Sequence, residues 1–199
     1  FMRERFAVAD QMARNYDLLP ISSYLTKPNT LPDGLTHIYR NCALYVCQVA
    51  LAEFFTSKGQ APDLITAHSF GECAGLTVAG ALSFEEMFEI VVLRNVLAPP
   101  RNDLGFMVAV TGDRASLAPA LELPGVYYAN RNSHRQSVLA VAAAARAPIL
   151  HWLRSERIPH VILLQLPQPY HSPLMQDFAD KLKARISQLR LTPRPPVVP

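Results

Sequence analysis

Apolar positions keep a helical register over the first half of the chain and change to an alternating one after Gly105. Residues 1–40 read as a helix and then a polar loop that Pro28, Pro32 and Gly34 keep irregular. From Cys42, the residues Leu44, Cys47, Val49, Leu51 and Phe54-Phe55 predict a helix over 42–58, with Gly59 where a C-cap belongs. Pro62-Asp63 leads into a short apolar run, 64–66, predicted as a strand. A helix over about 71–81 is lined by Ala74, Gly75 and Ala79, small enough to let it lie close to its neighbours. Ser83-Phe84-Glu85-Glu86 has the form of a capping box and starts a helix to about Leu97, ended by Pro99-Pro100.

After Gly105 the pattern predicts strands over 106–110, 126–129, 137–141 and 160–166. Between them come a short helix over 115–121 and a longer one over 142–157, which Pro148 either kinks or truly begins. The order β-α-β-β-α-β is ferredoxin-like. A last helix is predicted over 172–189, before a Pro-rich tail over 192–199.

The chemistry gathers where the 64–66 run ends. Ala67-His68-Ser69-Phe70-Gly71 has the form of the nucleophile elbow G-x-S-x-G, with Ala67 in the first glycine position. Such a turn holds the serine backbone in a sparsely populated conformation and needs small neighbours, here Ala67 and Gly71. The Phe70 N–H would then sit at a helix N-terminus, ready for a developing oxyanion. On pattern alone, a serine that merely caps the helix explains the residues equally well. Arg94 is the second candidate. It shares a helical face with Met87, Ile90 and Val91, where a charge is costly unless it meets an anion. An arginine that satisfies the last-turn carbonyls is the competing account.

Composition narrows the field. With 199 residues, 50% of them hydrophobic, the chain can bury one sizeable core, or one core and a small subdomain. No apolar run approaches the roughly 18 residues of a membrane span, and Phe1-Met2-Arg3-Glu4-Arg5 opens no signal peptide. Cys42, Cys47 and Cys73 form no C-x-x-C pair and read as free thiols of an intracellular, cytoplasmic protein. No histidine has metal-ligand spacing, and the 131–135 segment is too short and non-aromatic for nucleic acid. A net charge of +3 suits an acidic protein partner.

Three segments carry a resemblance. Ala67-His68-Ser69-Phe70-Gly71-Glu72 resembles the G-H-S-x-G-E signature of the malonyl-CoA:acyl-carrier-protein acyltransferase family. That family includes stand-alone transacylases and the acyltransferase domains of polyketide synthases. Cys42-Ala43-Leu44-Tyr45 to Pro62-Asp63 resembles its approach to the elbow, and Tyr170-His171-Ser172-Pro173-Leu174-Met175 its F-H-S-P-L-M segment. The resemblance implies an α/β fold: a hydrolase-like three-layer large subdomain over 1–104 and 167–199, with a ferredoxin-like small subdomain inserted over 105–166. It also implies a fragment, because the family's opening G-Q-G-x-Q loop, source of a second oxyanion donor, has no counterpart here.

By the same resemblance Ser69 is the nucleophile, His171 its base, Phe70 the oxyanion donor through its N–H, and Arg94 the holder of a malonyl carboxylate. Asp177 is expected to face solvent, which leaves a Ser–His dyad. His68 is expected to fill a structural niche. Asn132 resembles an asparagine near the family's pantetheine channel and reads equally well as a turn residue. Where the family has Ser-Gly, this chain has Ala140-Val141. No permanently bound cofactor is implied. A coenzyme A thioester is the acyl donor and a phosphopantetheinylated acyl carrier protein the acceptor, with adjacent synthase domains as further partners. An acyl hydrolase acting on carriers, and a non-catalytic docking domain, are the alternatives; Arg94 speaks against the first and the Ser69–His171 pair against the second. Gln168-Pro169-Tyr170-His171 matches neither the H-A-F-H form that goes with malonyl nor the Y-A-S-H form that goes with methylmalonyl. The ring of Tyr170 and the bulk of Phe70 favour the unbranched malonyl group.

Overall fold

α1 (Met2–Ala13) opens the computed structural model, which describes residues 1–97, 103–163 and 168–192. Its Phe6, Ala9 and Ala13 are buried. A connection follows with two 3-10 turns and a short α-helix, α2 (Ser23–Thr26), and the Asp10 carboxylate holds it by accepting from the Ser22 N–H (2.9 Å) and Oγ (2.7 Å).

The long helix α3 (Thr36–Ser57) begins earlier than its expected start at residue 42, because Ile38 and Tyr39 belong to the same buried face as Cys42, Tyr45, Val46 and Val49. Gly59 ends it with φ +80°, its N–H donating to Thr56 O and the next N–H to Phe55 O, each at 3.0 Å. Leu44, Leu51, Phe54 and Phe55, which marked the helical period, are 43–51% exposed. Periodicity locates a helix; which face becomes covered depends on what packs there.

α4 (Gly71–Val78) and α5 (Phe84–Leu97) complete the helical core. The capping box of α5 is reciprocal: the Ser83 N–H donates to Glu86 Oε2 (2.8 Å) and the Glu86 N–H to Ser83 Oγ (3.1 Å). Tyr45 joins α3, α4 and α5. Its ring stacks on Phe84 at 5.3 Å, and its hydroxyl lies 2.9 Å from Thr77 Oγ1 and donates to Phe84 O at 3.0 Å.

Residues 64–66 form no strand. A ladder needs a neighbour to exchange N–H···O=C bonds, and none of the described residues lies beside this stretch in one. The expected sheet of a three-layer large subdomain is therefore not seen among the described residues. The molecule is mixed α/β, with its described sheet further along the chain.

That sheet is built from β1 (Gly105–Thr111), β2 (Val126–Arg131), β3 (Gln136–Ala142) and β4 (His160–Ile162), with α6 (Ala118–Leu121) and α7 (Arg146–Ser155) between strands. Spatial order is β2-β3-β1-β4, all pairs antiparallel, with Val108 opposite Leu139 on β3 and Ile162 on β4. Phe106, Val108, Val110, Leu139 and Val141 pack with Leu117, Ile149 and Leu153. Gly105, at φ +152°, admits no side chain, since a Cβ would stand 2.1 Å from Val141 O. Pro148 lies in the first turn of α7, which begins at Arg146, so it marks a start rather than a kink. α8 (Gln176–Ile186) is the last helix described. Pro99-Pro100, the expected strand beyond residue 163 and the tail from 193 lie outside the described residues. The chain divides into one unit of Phe1–Leu97 with Leu182–Pro199 and another of Ala98–Lys181.

Candidate active site

Ser69 holds a left-handed backbone, φ 52°, which costs a non-glycine residue about 1 kcal/mol. It does not cap α4. The cap position is Phe70, and the first turn closes through Gly71 N–H to His68 O (3.0 Å), Glu72 N–H to Ser69 O (3.1 Å) and Cys73 N–H to Phe70 O (3.2 Å). An ordinary N-cap serine has an extended backbone and bonds the helix with its hydroxyl. The geometry here is that of a strained turn and not of an N-cap serine. Among the described residues no hydrogen bond takes the Phe70 N–H, which stands at the positive end of α4.

The steric demand of the turn falls elsewhere than expected. A Cβ on Gly71 would meet nothing within 4 Å beyond its own helix and chain neighbours, whereas Gly75 faces Ala67 and Ile65. Close approach of α4 to the incoming chain therefore depends on Gly75. His68 is exposed, not set in a structural niche.

Arg94 lies on α5 with Met87 and Val91, both buried, and is itself half-buried. Its guanidinium carbon stands 5.1 Å from the centroid of the Phe70 ring. Burial pushes the neighbouring Cys73 thiol up, against the opposing charge of Arg94, so Cys73 stays protonated and a poor nucleophile at neutral pH. The next residue, Asn95, is buried; it donates to Val91 O (2.7 Å) and accepts from Asn41 Nδ2 on α3 (2.5 Å). This brace was missed in the sequence. Its trace is a pair of amides, Asn41 and Asn95, within the apolar stretches of two helices.

In the second unit, Tyr170 N–H donates to Gln168 O at 2.9 Å, a γ-turn centred on Pro169. The Ser172 hydroxyl donates to Pro169 O at 2.5 Å, and a 3-10 turn, Pro173–Met175, follows. Between these bonds His171 is exposed and has φ 57°, the second strained backbone at a candidate catalytic residue. Tyr170 is half-buried. Asp177 is exposed, with Lys181 Nζ donating to it at 2.7 Å.

Residues 6–199 match the family model of the acyl transferase domain. The chain belongs to that family. It is 32% identical over 163 residues to polyketide synthase GfsA of Streptomyces halstedii, and 33% over 142 residues to mycoketide-CoA synthase of Mycobacterium tuberculosis. Those alignments take 79% and 71% of this chain but 2% and 3% of the relatives' lengths. In fold it is similar to the acyltransferase domain from the second module of the salinomycin polyketide synthase, with TM-score 0.80, 28% identity, and coverage of 98% of this chain and 46% of that one. FabD from Acinetobacter baumannii gives TM-score 0.79 at 23% identity, covering 96% of this chain and 62% of that one.

Three further polar residues make hydrogen bonds within the fold, and His37 also reaches α5, its Nε2 3.4 Å from Asn95 O. His37 Nδ1 lies 3.0 Å from Gly34 O, and His160 Nδ1 2.9 Å from Ile158 O. Asn132 shapes the β2–β3 turn, its Nδ2 donating to Gln136 Oε1 at 3.2 Å, which supports its reading as a turn residue. Among the described residues no group of three His, Cys, Asp or Glu side chains is placed to hold a metal ion, and no helix is long and apolar enough to cross a membrane.

Proposed function

We propose that this acyl transferase moves a malonyl group from coenzyme A to the phosphopantetheine thiol of an acyl carrier protein, through an ester on Ser69. The observation that carries the reading is the left-handed Ser69 at the mouth of α4, with the Phe70 N–H beside it. A serine held at that backbone cost is explained by a nucleophile's need for exposure at a sharp turn.

In this reading His171 takes the hydroxyl proton as Ser69 Oγ adds to the thioester carbonyl. The Phe70 N–H stabilises the oxyanion of the tetrahedral intermediate. Collapse breaks the carbon–sulfur bond, and the leaving coenzyme A thiolate takes the proton back from His171. The carrier thiol then gives its proton to His171, attacks the seryl ester and leaves as the acyl thioester, while Ser69 regains its proton. Arg94 binds the free carboxylate of the acyl group and so selects malonyl over acetyl. Tyr170 limits room at the α-carbon and disfavours methylmalonyl. Such thioester donors and carriers place the reaction in the cytoplasm, beside other synthase activities.

The test is mass spectrometry of the full-length protein after incubation with malonyl-, methylmalonyl- and acetyl-coenzyme A. Malonyl on Ser69 is expected, with no adduct in Ser69→Ala and acylation slowed by roughly 10²–10⁴ in His171→Ala. Acylation that persists in Ser69→Ala would overturn the assignment.

A further inference from the structure

We propose that the side chain of Phe70 is the positioning residue for Arg94, so that one residue fixes both the oxyanion donor and the carboxylate receptor. This rests on the reading of Arg94 as the group that binds the acyl carboxylate. Arg94 comes from α5 and Phe70 from the mouth of α4, and the guanidinium stands 5.1 Å from the ring centroid. An arginine side chain has several rotatable bonds, and an unsupported one loses that freedom when it grips a carboxylate. Contact with a ring face restrains it beforehand. Such contact is made by the face of the guanidinium and not by its N–H donors, which are the groups a carboxylate engages.

Both ends of this contact are anchored. Phe70 is half-buried, packs on the helical core, and has its backbone set by the cap position of α4, φ −59° and ψ −29°. The last turn of α5 is held to α3 by Asn41 and Asn95. The ring therefore transmits the position of the Ser69–Phe70 turn to Arg94. It ties the site of bond formation to the site that reads the far end of the acyl group. What position 70 must supply is an aromatic face; bulk alone does not attract a cation.

The experiment compares malonyl and acetyl loading, as kcat/KM, in the full-length protein and in Phe70→Leu, Phe70→Tyr, Arg94→Ala and the Phe70→Leu/Arg94→Ala pair. Phe70→Leu is expected to lower the malonyl-to-acetyl ratio by about 2- to 30-fold, the range of one cation–π contact. Phe70→Tyr, which retains the ring, keeps the ratio. In the Arg94→Ala background Phe70→Leu moves the ratio no further. If Leu and Tyr change the ratio equally, or if Leu acts undiminished without Arg94, the ring does not work through Arg94 and the inference fails. An unchanged ratio in Arg94→Ala alone instead overturns the carboxylate reading, and this inference with it.

Discussion

A Cβ on Gly75 would stand 3.1 Å from the Cβ of Ala67. It would also lie 3.6 Å from Cγ2 of Ile65. The chain that enters the elbow therefore lies against α4 where α4 has no side chain. This explains how alanine can replace glycine at position 67: the space is released across the contact, by Gly75.

Gly75→Val should then destabilise the protein by about 1–3 kcal/mol, the ordinary cost of overpacking. Gly71→Ala should be neutral or stabilising by less than about 1 kcal/mol, since its Cβ meets open space. Chemical denaturation of both variants checks this. Equal destabilisation would show that the elbow, and not the helix contact, sets the demand for small residues.

Ser69→Gly should raise stability by about 1 kcal/mol while abolishing acylation, because glycine accepts φ 52° without strain. Ser69→Ala should abolish acylation with no such gain. Thermal unfolding alongside mass spectrometry separates the two effects, and a less stable Ser69→Gly would mean that the hydroxyl contributes more to the fold than the strain costs.

If the Tyr170 ring limits room at the acyl α-carbon, as proposed, Tyr170→Ser should admit methylmalonyl. A competition assay with malonyl- and methylmalonyl-coenzyme A measures it. No change in preference would mean that the γ-turn at Pro169 directs the ring away from the acyl group.

Burial pushes the Cys42 thiol up to about 12. The unfolded thiol ionises near its ordinary value of about 8.5, while the native one stays protonated. Its stabilising contribution is therefore complete below that value and is lost as pH rises toward about 12. Denaturant midpoints should fall across this alkaline window. At pH 8 a thiol reagent should modify Cys42 only as fast as the protein opens; immediate labelling would contradict its burial.

Much of this protein was legible in local patterns. The capping box at Ser83 and Glu86, the stop at Gly59 and the β-α-β-β-α-β order depend on near neighbours and on periods of 3.6 and 2. The elbow was legible as a candidate, because a strained turn restricts the residues beside it. Other features were not. The exposed side of α3 cannot be told from its buried side by period, and the 64–66 run looks like a strand whether or not a partner pairs with it. The contact of Phe70 with Arg94, the amide pair Asn41 and Asn95, and the clearance at Gly75 join residues far apart in the chain.

By itself, then, the sequence determined the order of most helices and strands and the caps that bound them, and it marked one serine, one histidine and one arginine as candidates. Those follow from short-range sterics and residue type. Only the tertiary structure decided that Ser69 is a strained turn residue and not a helix cap, that His171 shares that strain, and that Arg94 rests on a ring. Backbone strain persists only where surrounding packing over-determines it, and packing between distant segments leaves no periodic trace.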